Sequence, residues 1–339
     1  MLFTFFHRII TFLLLYLLTS SAYRKHYESW DEMDSFTAID HLSEEQGQSI
    51  DRIVFNYINE YQYISLGLLY NHELVLVRTY GKDRRGKTDV YASVSKPVTA
   101  TIFFRILEDG MISSVDDPIS DYSGKYRDAM PDEYMDTPVT FRHLLSHTSG
   151  IPHHDQIWKS GKFNLQFRPG SQTLYSTRGY GILGKVLCEI TGMNYNQLVK
   201  TYIGDPINAE SFSASSVLFE APGGLVKSTI SDMALFAEAI MDNVFVSDTL
   251  QYGIQWVPEA RDQGGELSLG WYITNYPTDS IAVYHAGSNG APRAFIALRP
   301  IQSTGVVLMG RRNSSDGSQL FHELARELMQ HYKSQIVSK

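Results

Sequence analysis

Apolar residues recur every three or four positions in the first strongly patterned segment of the chain, residues 44–60. This spacing is typical of a helix with one buried face. Ser43, followed three positions later by Gln46, has the arrangement of a capping box at a helix start. The pattern therefore predicts an amphipathic helix near residues 44–60. Its apolar face consists of Ile50, Ile53, Val54, Tyr57 and Ile58.

Two runs of strand-forming residues follow, YISLGLLY at residues 63–70 and ELVLVRTYG at 73–81. Both are rich in large apolar side chains and are separated from the neighbouring segments by polar residues. Only Asn71 and His72 lie between them, and so short a connection predicts an antiparallel hairpin. A mostly apolar segment at residues 93–110 predicts the next helix, which a glycine ends.

The later part of the chain contains a block of helices and then a block of strands. Short helical segments punctuated by Pro and Gly occupy residues 111–245, and strand signals return after about residue 250. Strands at both ends predict an α+β fold, in which an antiparallel sheet is flanked by N- and C-terminal helices and carries an inserted helical lobe. The predicted helices of these blocks are 137–147, 179–191, 195–203, 228–241 and 317–332, and the predicted strands are 252–257, 269–274, 281–287, 294–300 and 304–310.

These blocks divide the chain into an α/β lobe, about residues 41–110 and 250–339, and a helical lobe, about 111–249. Residues 23–40 are polar and without periodicity and are interpreted as a linker. The length of 339 residues is ample for a sizeable core.

The first 22 residues differ from the rest of the chain. His7 and Arg8 precede an uncharged, mostly apolar run from Ile9 to Leu18, and small residues offer a cleavage point after Ala22. This is the layout of a secretory signal peptide. We therefore expect an exported protein, periplasmic or secreted, or a membrane-anchored one if the segment is not cleaved.

Composition excludes several function classes. The net charge of −8, without a dense Lys/Arg block, argues against a nucleic-acid partner. Cys188 is the single cysteine, which rules out an internal disulfide, and its helical segment favours a core thiol.

His143 and His147 have the spacing of a zinc site but lack the glutamate of His-Glu-x-x-His, so neither a metal nor a cofactor is predicted. The polar cluster His153-His154-Asp155 is interpreted as a loop, with a place at the rim of a cleft as the alternative.

Ser93 and Lys96 raise a chemical question at the start of the predicted helix. Their i, i+3 spacing places both side chains on one helical face. A charge on a face that is about to be buried costs several kcal/mol unless it has a partner. A desolvated lysine can instead lose its charge and accept the proton of a serine nucleophile. The alternative is that Ser93 only caps the helix and Lys96 is solvated.

Two further motifs follow in order, Tyr175-Ser176-Thr177 and His285-Ala286-Gly287. Together with Ser93-x-x-Lys96 they resemble the serine β-lactamase and penicillin-binding-protein family, on the branch of class C β-lactamases, D-alanyl-D-alanine carboxypeptidases, D-amino-acid amidases and related esterases. The segments DDPISDY, TFRHLLSHTSGIP and APGGLVKSTISDMALFAEAI are also similar to that family. The resemblance implies a serine hydrolase domain over residues 41–339.

The resemblance also implies a role for each motif. Ser93 is the expected nucleophile of an acyl-enzyme, and Lys96 and Tyr175 are expected to share the proton transfers, with the lysine charge lowering the tyrosine pKa. The backbone N–H groups of Ser93 and Ser288 are the expected oxyanion hole. The expected substrate-binding residues are Thr177, His285, Ala286 and Gly287, with Arg293 as a further candidate for a substrate carboxylate.

Two positions depart from the family pattern. Thr177 stands where the family usually has an asparagine whose amide contacts the substrate, so that contact is weakened or replaced. His285 stands where lactamases of this branch usually have lysine, and histidine is largely neutral at pH 7. The His-x-Gly form resembles the carboxypeptidase, D-amidase and esterase members more than the lactamases.

The expected function is therefore hydrolysis of an amide or ester through an acyl-enzyme. The substrate is expected to be a small molecule or peptide, such as a cell-wall peptide or a β-lactam, and the activity to be that of a D-alanyl-D-alanine carboxypeptidase, a D-amino-acid peptidase or an esterase. A true class C-like β-lactamase is the alternative among enzymes. A non-catalytic penicillin- or peptide-binding relative is the alternative from another class, and membrane contact is expected only if the N-terminal segment is not cleaved.

Overall fold

The computed structural model describes residues 36–153, 155–275, 277–278, 280–314 and 320–336. The predicted signal peptide, residues 1–22, lies outside the described residues. Within the described ranges no helix has the length and apolar character needed to cross a membrane. Residues 36–40, predicted as the end of the linker, form a strand that pairs with the strand at residues 73–81.

A nine-stranded antiparallel sheet forms the centre of the fold. Its strand order across the sheet is β1-β3-β2-β13-β12-β11-β10-β9-β8, so that strands from both ends of the chain meet in the middle. Two short antiparallel pairs, β4 with β7 and β5 with β6, lie outside it. The strands are β1 Phe36–Asp40, β2 Tyr61–Tyr70, β3 Glu73–Gly81, β4 Asp89–Val90, β5 Trp158–Lys159, β6 Lys162–Phe163, β7 Lys227–Ser228, β8 Ala260–Asp262, β9 Gly265–Leu267, β10 Tyr272–Thr274, β11 Ala282–Ser288, β12 Pro292–Arg299 and β13 Thr304–Arg312.

Helices cover both faces of the sheet and bury a core on each side. The first and last described helices, α1 and α9, pack on one face, and α2 lies with α4 to α7 on the other. The helices are α1 Glu44–Phe55, α2 Ser95–Glu108, α3 Phe141–Leu145, α4 Thr177–Thr191, α5 Tyr195–Val199, α6 Ala221–Gly224, α7 Ile230–Met241, α8 Asp248–Leu250 and α9 Leu320–Ile336.

The local signals explain the start of the sheet. Ser43 and Gln46 form the predicted capping box, although the helix ends at Phe55 and a separate 3₁₀ turn follows. Asn71 and His72 both have positive φ, 55° and 65°, which is the conformation that a two-residue hairpin turn requires. The predicted hairpin is therefore confirmed.

The strand predicted at residues 252–257 is wrong. A π-helical segment, Gln251–Gln255, continues α8 there. Tyr252 and Trp256, four positions apart, pack ring against ring at 5.0 Å, which is a helical contact. A short apolar run does not by itself distinguish a buried helix from a buried strand.

Candidate active site

Ser93 lies in a tight turn between the sheet and α2. A 3₁₀ turn, Ala92–Val94, precedes the helix, and Ala92 has a φ of 46°, a conformation that costs a non-glycine residue on the order of 1 kcal/mol. Val94 is the N-cap residue of α2 and no side chain caps the helix start, so the alternative in which Ser93 only caps the helix is not supported. Tyr91 anchors the turn, since its N–H donates to the Val226 carbonyl oxygen at 3.0 Å. The turn leaves Ser93 partly exposed at the cleft.

Lys96 is fully buried in the first turn of α2. Its Nζ atom lies 2.7 Å from the Gly223 carbonyl oxygen, 3.2 Å from Ser93 Oγ and 3.2 Å from Thr177 Oγ1. No carboxylate of a described residue is among these partners. Burial therefore lowers the pKa of Lys96 well below its ordinary value. The Thr177 hydroxyl contacts Lys96, which gives this departure from the family pattern a place in the site.

Tyr175 lies between Lys96 and the cleft. The Lys96 Nζ atom sits over the face of its ring, 4.6 Å from the centroid, and the Ser93 side chain is near enough to the phenol to lower its pKa in part. Burial raises the pKa of Tyr175, so the prediction that the lysine lowers it is wrong. The physical reason is that the amine faces the ring instead of the phenol oxygen and is itself stripped of water.

Three histidines surround the Tyr175 ring. The ring centroids of His147, His153 and His285 lie 4.3, 5.6 and 6.4 Å from that of Tyr175. His147 Nδ1 accepts a hydrogen bond from the Ser176 N–H at 3.0 Å, and burial lowers its pKa well below the usual value.

His153 repeats this arrangement one residue later, because its Nδ1 atom accepts from the Thr177 N–H at 3.0 Å. From the sequence, His147 was considered only as part of an incomplete zinc motif, and His153 as a loop residue with a place at the rim of a cleft as the alternative. The structure supports that alternative, because His153 lines both cavities of the cleft. The family-like segment TFRHLLSHTSGIP was the one signal that pointed to His147. His154, the neighbour of His153, lies outside the described residues.

His285 is buried on β11, and its Nδ1 atom donates to the Ala286 carbonyl oxygen at 2.8 Å. This bond leaves Nε2 as the acceptor nitrogen of the neutral ring. Burial, together with the nearby Lys96, lowers the pKa of His285 to about 3. His285 therefore brings no positive charge to the cleft near neutral pH.

The remaining predicted residues lie at the same end of β11. Ser288 ends the strand and lines the cleft with Ser93. Arg293 is 6% exposed, and its Nη1 atom donates to the carbonyl oxygens of Gly290 and, at 3.0 Å, Pro292, so it fixes the turn between β11 and β12. A contact between Arg293 and substrate stays a prediction.

Two cavities of about 300 and 490 Å³ meet at Ser93 and share His153 and Ser288. Strand β10 pairs with β11 only at residues 282–284, so the described edge of β11 beyond them is open to the cleft. The smaller, polar cavity is also lined by Thr177, Arg178, Glu220, Gly223 and Asn289, and the larger, aromatic cavity by Tyr175, Tyr272, Tyr284, Phe295, Phe321 and His322.

A sequence model of the family described as Beta-lactamase matches residues 80–328, well over half of the chain. The chain belongs to the β-lactamase family. A β-lactamase of Escherichia coli is 24% identical over 249 residues, which are 62% of this chain and 63% of that protein. The D-alanyl-D-alanine-carboxypeptidase/endopeptidase AmpH of Escherichia coli is 28% identical over 155 residues, 38% of this chain and 40% of that protein. The chain thus spans less than two thirds of the length of these curated relatives.

Solved structures share the fold at low sequence identity. A mutant class C β-lactamase aligns with a TM-score of 0.72 and 15% identity, over 85% of this chain and 97% of that one. A β-lactamase/D-alanine carboxypeptidase from Yersinia pestis aligns with a TM-score of 0.65 and 18% identity, over 84% and 99%. The predicted α+β fold and the predicted enzyme of the serine β-lactamase and penicillin-binding-protein family are both confirmed.

Gly287 allows this β-lactamase-family protein to bring β11 against the Ser93 turn. A Cβ atom at Gly287 would overlap the Tyr91 carbonyl oxygen and lie 3.1 Å from the Ser93 nitrogen. We expect Gly287→Ala to push β11 and the turn apart, with a loss of about 1–3 kcal/mol in unfolding free energy and about a tenfold fall in kcat. Chemical denaturation and steady-state kinetics measure the two effects.

Gly253→Ala is the matched control for this substitution. A Cβ atom there meets nothing within 4 Å, and alanine favours helical backbone, so no loss is expected. Equal stability and kcat of Gly287→Ala and the parent would show that the close approach of β11 is not needed.

Proposed function

We propose that this chain is a serine hydrolase in which Ser93 attacks the carbonyl of an amide or ester and forms an acyl-enzyme. One observation carries the proposal: a fully buried lysine, without a carboxylate partner among the described residues, lies within hydrogen-bond distance of a partly exposed serine hydroxyl at the meeting point of two cavities. A buried amine with a lowered pKa has a lone pair for the serine proton.

The three contacts of Lys96 match the needs of a neutral amine. Two N–H groups donate to the carbonyl oxygen of Gly223 and the hydroxyl of Thr177, which leaves the lone pair for the Ser93 O–H. As the bond from Ser93 Oγ to the carbonyl carbon forms, the serine proton passes to Lys96, and the negative charge moves to the carbonyl oxygen. The N–H groups of Ser93 and Ser288 are the proposed donors to that oxyanion.

Tyr175 is the proposed acid for the leaving group. Its raised pKa keeps the phenol protonated at neutral pH, and it lines the same cavity as Ser93, near the bond that breaks. The phenol proton passes to the leaving oxygen or nitrogen, and the proton held on Lys96 then passes to the Tyr175 phenolate, which restores the phenol and the neutral amine. Water then attacks the acyl-enzyme and releases the acid.

The proposed activity is that of a D-alanyl-D-alanine carboxypeptidase, a D-amino-acid peptidase or an esterase, carried out by an exported, periplasmic or secreted protein. The neutral His285 supports this choice over a true β-lactamase, because it supplies no cation for the carboxylate of a β-lactam at the position where lactamases have lysine. The relationship to AmpH, whose name gives carboxypeptidase and endopeptidase activities, also supports it.

Intact mass spectrometry after incubation with a penicillin tests the proposal. We expect the parent to gain the mass of one drug molecule and to hold it for minutes or longer, and Ser93→Ala to gain none. Ser113→Ala, which changes an exposed serine outside the cleft, is the matched control and is expected to acylate like the parent. If the parent hydrolyses 4-nitrophenyl butyrate and Ser93→Ala does not, the serine is identified independently of β-lactam recognition.

The other outcomes are also decisive. Rapid hydrolysis of the drug without a lasting adduct would replace the proposed activity with that of a true β-lactamase. A parent that neither acylates nor hydrolyses the ester would overturn the proposal in favour of a non-catalytic binding protein.

A further inference from the structure

The charges that line the two cavities are unevenly distributed. The described lining residues include two permanent cations, Arg178 in the polar cavity and Arg293 in the aromatic one. Arg293 is nearly buried and holds the turn between β11 and β12 through backbone carbonyl oxygens. Arg178, by contrast, is only partly buried and makes no hydrogen bond or ion pair with the residues that the structure describes. Its guanidinium group is thus available to a ligand.

The polar cavity belongs to the acyl side of the proposed reaction. Tyr175, the proposed acid for the leaving group, lines the aromatic cavity, and so does His285. Neither residue lines the polar cavity. Because the leaving group departs on the side of its proton donor, the acyl group occupies the polar cavity with Arg178.

We infer that Arg178 binds a carboxylate carried by the acyl part of the substrate. The inference rests on the proposed function of Ser93, which it extends to a substrate class: amides or esters whose acyl chain ends in or carries a carboxylate. His285 on β11 is neutral, whereas Arg178 supplies a positive charge from α4, one residue after Thr177. The planar guanidinium group suits a carboxylate because it donates two parallel hydrogen bonds to it.

Glu220 sets a limit on the position of this carboxylate. It is an exposed lining residue of the polar cavity, its carboxylate pairs with no described residue, and it is not within ion-pair distance of Arg178. A carboxylate near Glu220 is repelled, so the favourable place is close to Arg178. The polar cavity, at about 300 Å³, holds a short acyl chain with its charged end.

Two chromogenic esters that differ in the charge at the end of the acyl chain test the inference. The first is 4-nitrophenyl hydrogen adipate, and the second is its methyl ester, in which the same acyl chain is uncharged. We expect the parent to have the higher kcat/KM for the carboxylate, after correction for spontaneous hydrolysis. In Arg178→Gln the ratio of the two kcat/KM values is expected to fall about tenfold, mainly through KM, because one charge-assisted contact is lost.

Further variants separate a direct contact from a general effect of charge. Arg178→Lys is expected to restore part of the ratio, and Arg178→Glu to reverse the preference. Lys185→Gln, which removes a positive charge from the same helix outside the cavities, is expected to keep the parental ratio.

Three outcomes would overturn the inference. An unchanged ratio in Arg178→Gln, with Ser93-dependent turnover of both esters, would remove the role of Arg178 and leave the hydrolase standing. If Arg178→Gln instead lost kcat/KM selectively for 3-carboxy-4-nitrophenyl butyrate, whose carboxylate is on the leaving group, the assignment of the two cavities would be reversed. A parent with no Ser93-dependent turnover of any ester would overturn the proposed function and the inference with it.

Discussion

Replacing Lys96 with methionine is expected to lower kcat/KM for ester and amide substrates by about a thousandfold or more, because Ser93 then has no base. Methionine has a similar length and no charge, so the space around α2 stays filled. Tyr175 cannot take over this role, since burial raises its pKa and keeps its phenol protonated at neutral pH. The same variant removes the donor that contacts Gly223 and Thr177.

Lys96→Met is also expected to be more stable than the parent at pH 6. The pKa of the buried Lys96 amine is lowered in the folded protein, whereas in the unfolded chain it is near its ordinary value of 10.5. Between the two pKa values the unfolded state binds more protons than the folded state, so the stability of the parent rises with pH. The cost of burying this amine is complete below the folded-state pKa and disappears as the pH approaches 10.5.

Urea unfolding of both proteins at several pH values from 6 to 10 measures this cost. The advantage of Lys96→Met is expected to shrink steadily as the pH rises. Lys185→Met removes a partly exposed lysine from α4 and is expected to show no such trend. Turnover close to that of the parent, or a stability advantage that grows with pH, would contradict the assignment of Lys96 as a buried base.

The sequence was sufficient for the parts of the fold that local chemistry determines. The capping box at Ser43 and the hairpin turn at Asn71-His72 were correctly predicted, because backbone geometry there depends on neighbouring residues. The i, i+3 spacing of Ser93 and Lys96 likewise predicted their contact. The strand predicted at residues 252–257 failed because periodicity over six residues does not separate helix from strand.

Long-range contacts were beyond the reach of the pattern. The surroundings that lower the pKa of Lys96 include Gly223, which lies 127 residues further along the chain, and no local signal predicts that partner. The nearness of Gly287 to Tyr91 depends on the packing of β11 against the Ser93 turn. The guanidinium group of Arg178 is open to a ligand because no residue that the structure describes forms a hydrogen bond or ion pair with it, and only the folded structure reveals this.

His147→Ala is expected to lower kcat about a hundredfold with little change in KM. The His147 ring holds the Tyr175 motif in place, and a small displacement of Tyr175, the proposed proton donor, lowers the rate of the chemical step strongly. The variant also leaves the Ser176 N–H without its acceptor in a buried site and opens space beside Tyr180, and the expected loss in unfolding free energy is about 3 kcal/mol. His147 has a φ of 62°, a conformation that asparagine adopts readily. His147→Asn, whose side-chain oxygen can accept from Ser176, is therefore expected to regain at least about tenfold of the lost kcat.

His143→Ala is the matched control, because His143 Nδ1 also accepts a backbone N–H, that of Thr140 at 3.2 Å, at the start of α3 and away from the cleft. It is expected to lose stability with no loss of kcat, since its N–H partner belongs to a helix cap and not to the Tyr175 motif. Ester hydrolysis well below the unfolding temperature of each variant gives kcat and KM separately. Equal, lowered kcat values for His147→Ala and His147→Asn would show that the hydrogen-bond acceptor for Ser176 does not position Tyr175. A kcat equal to that of the parent in both variants would show that His147 contributes only to the stability of the core.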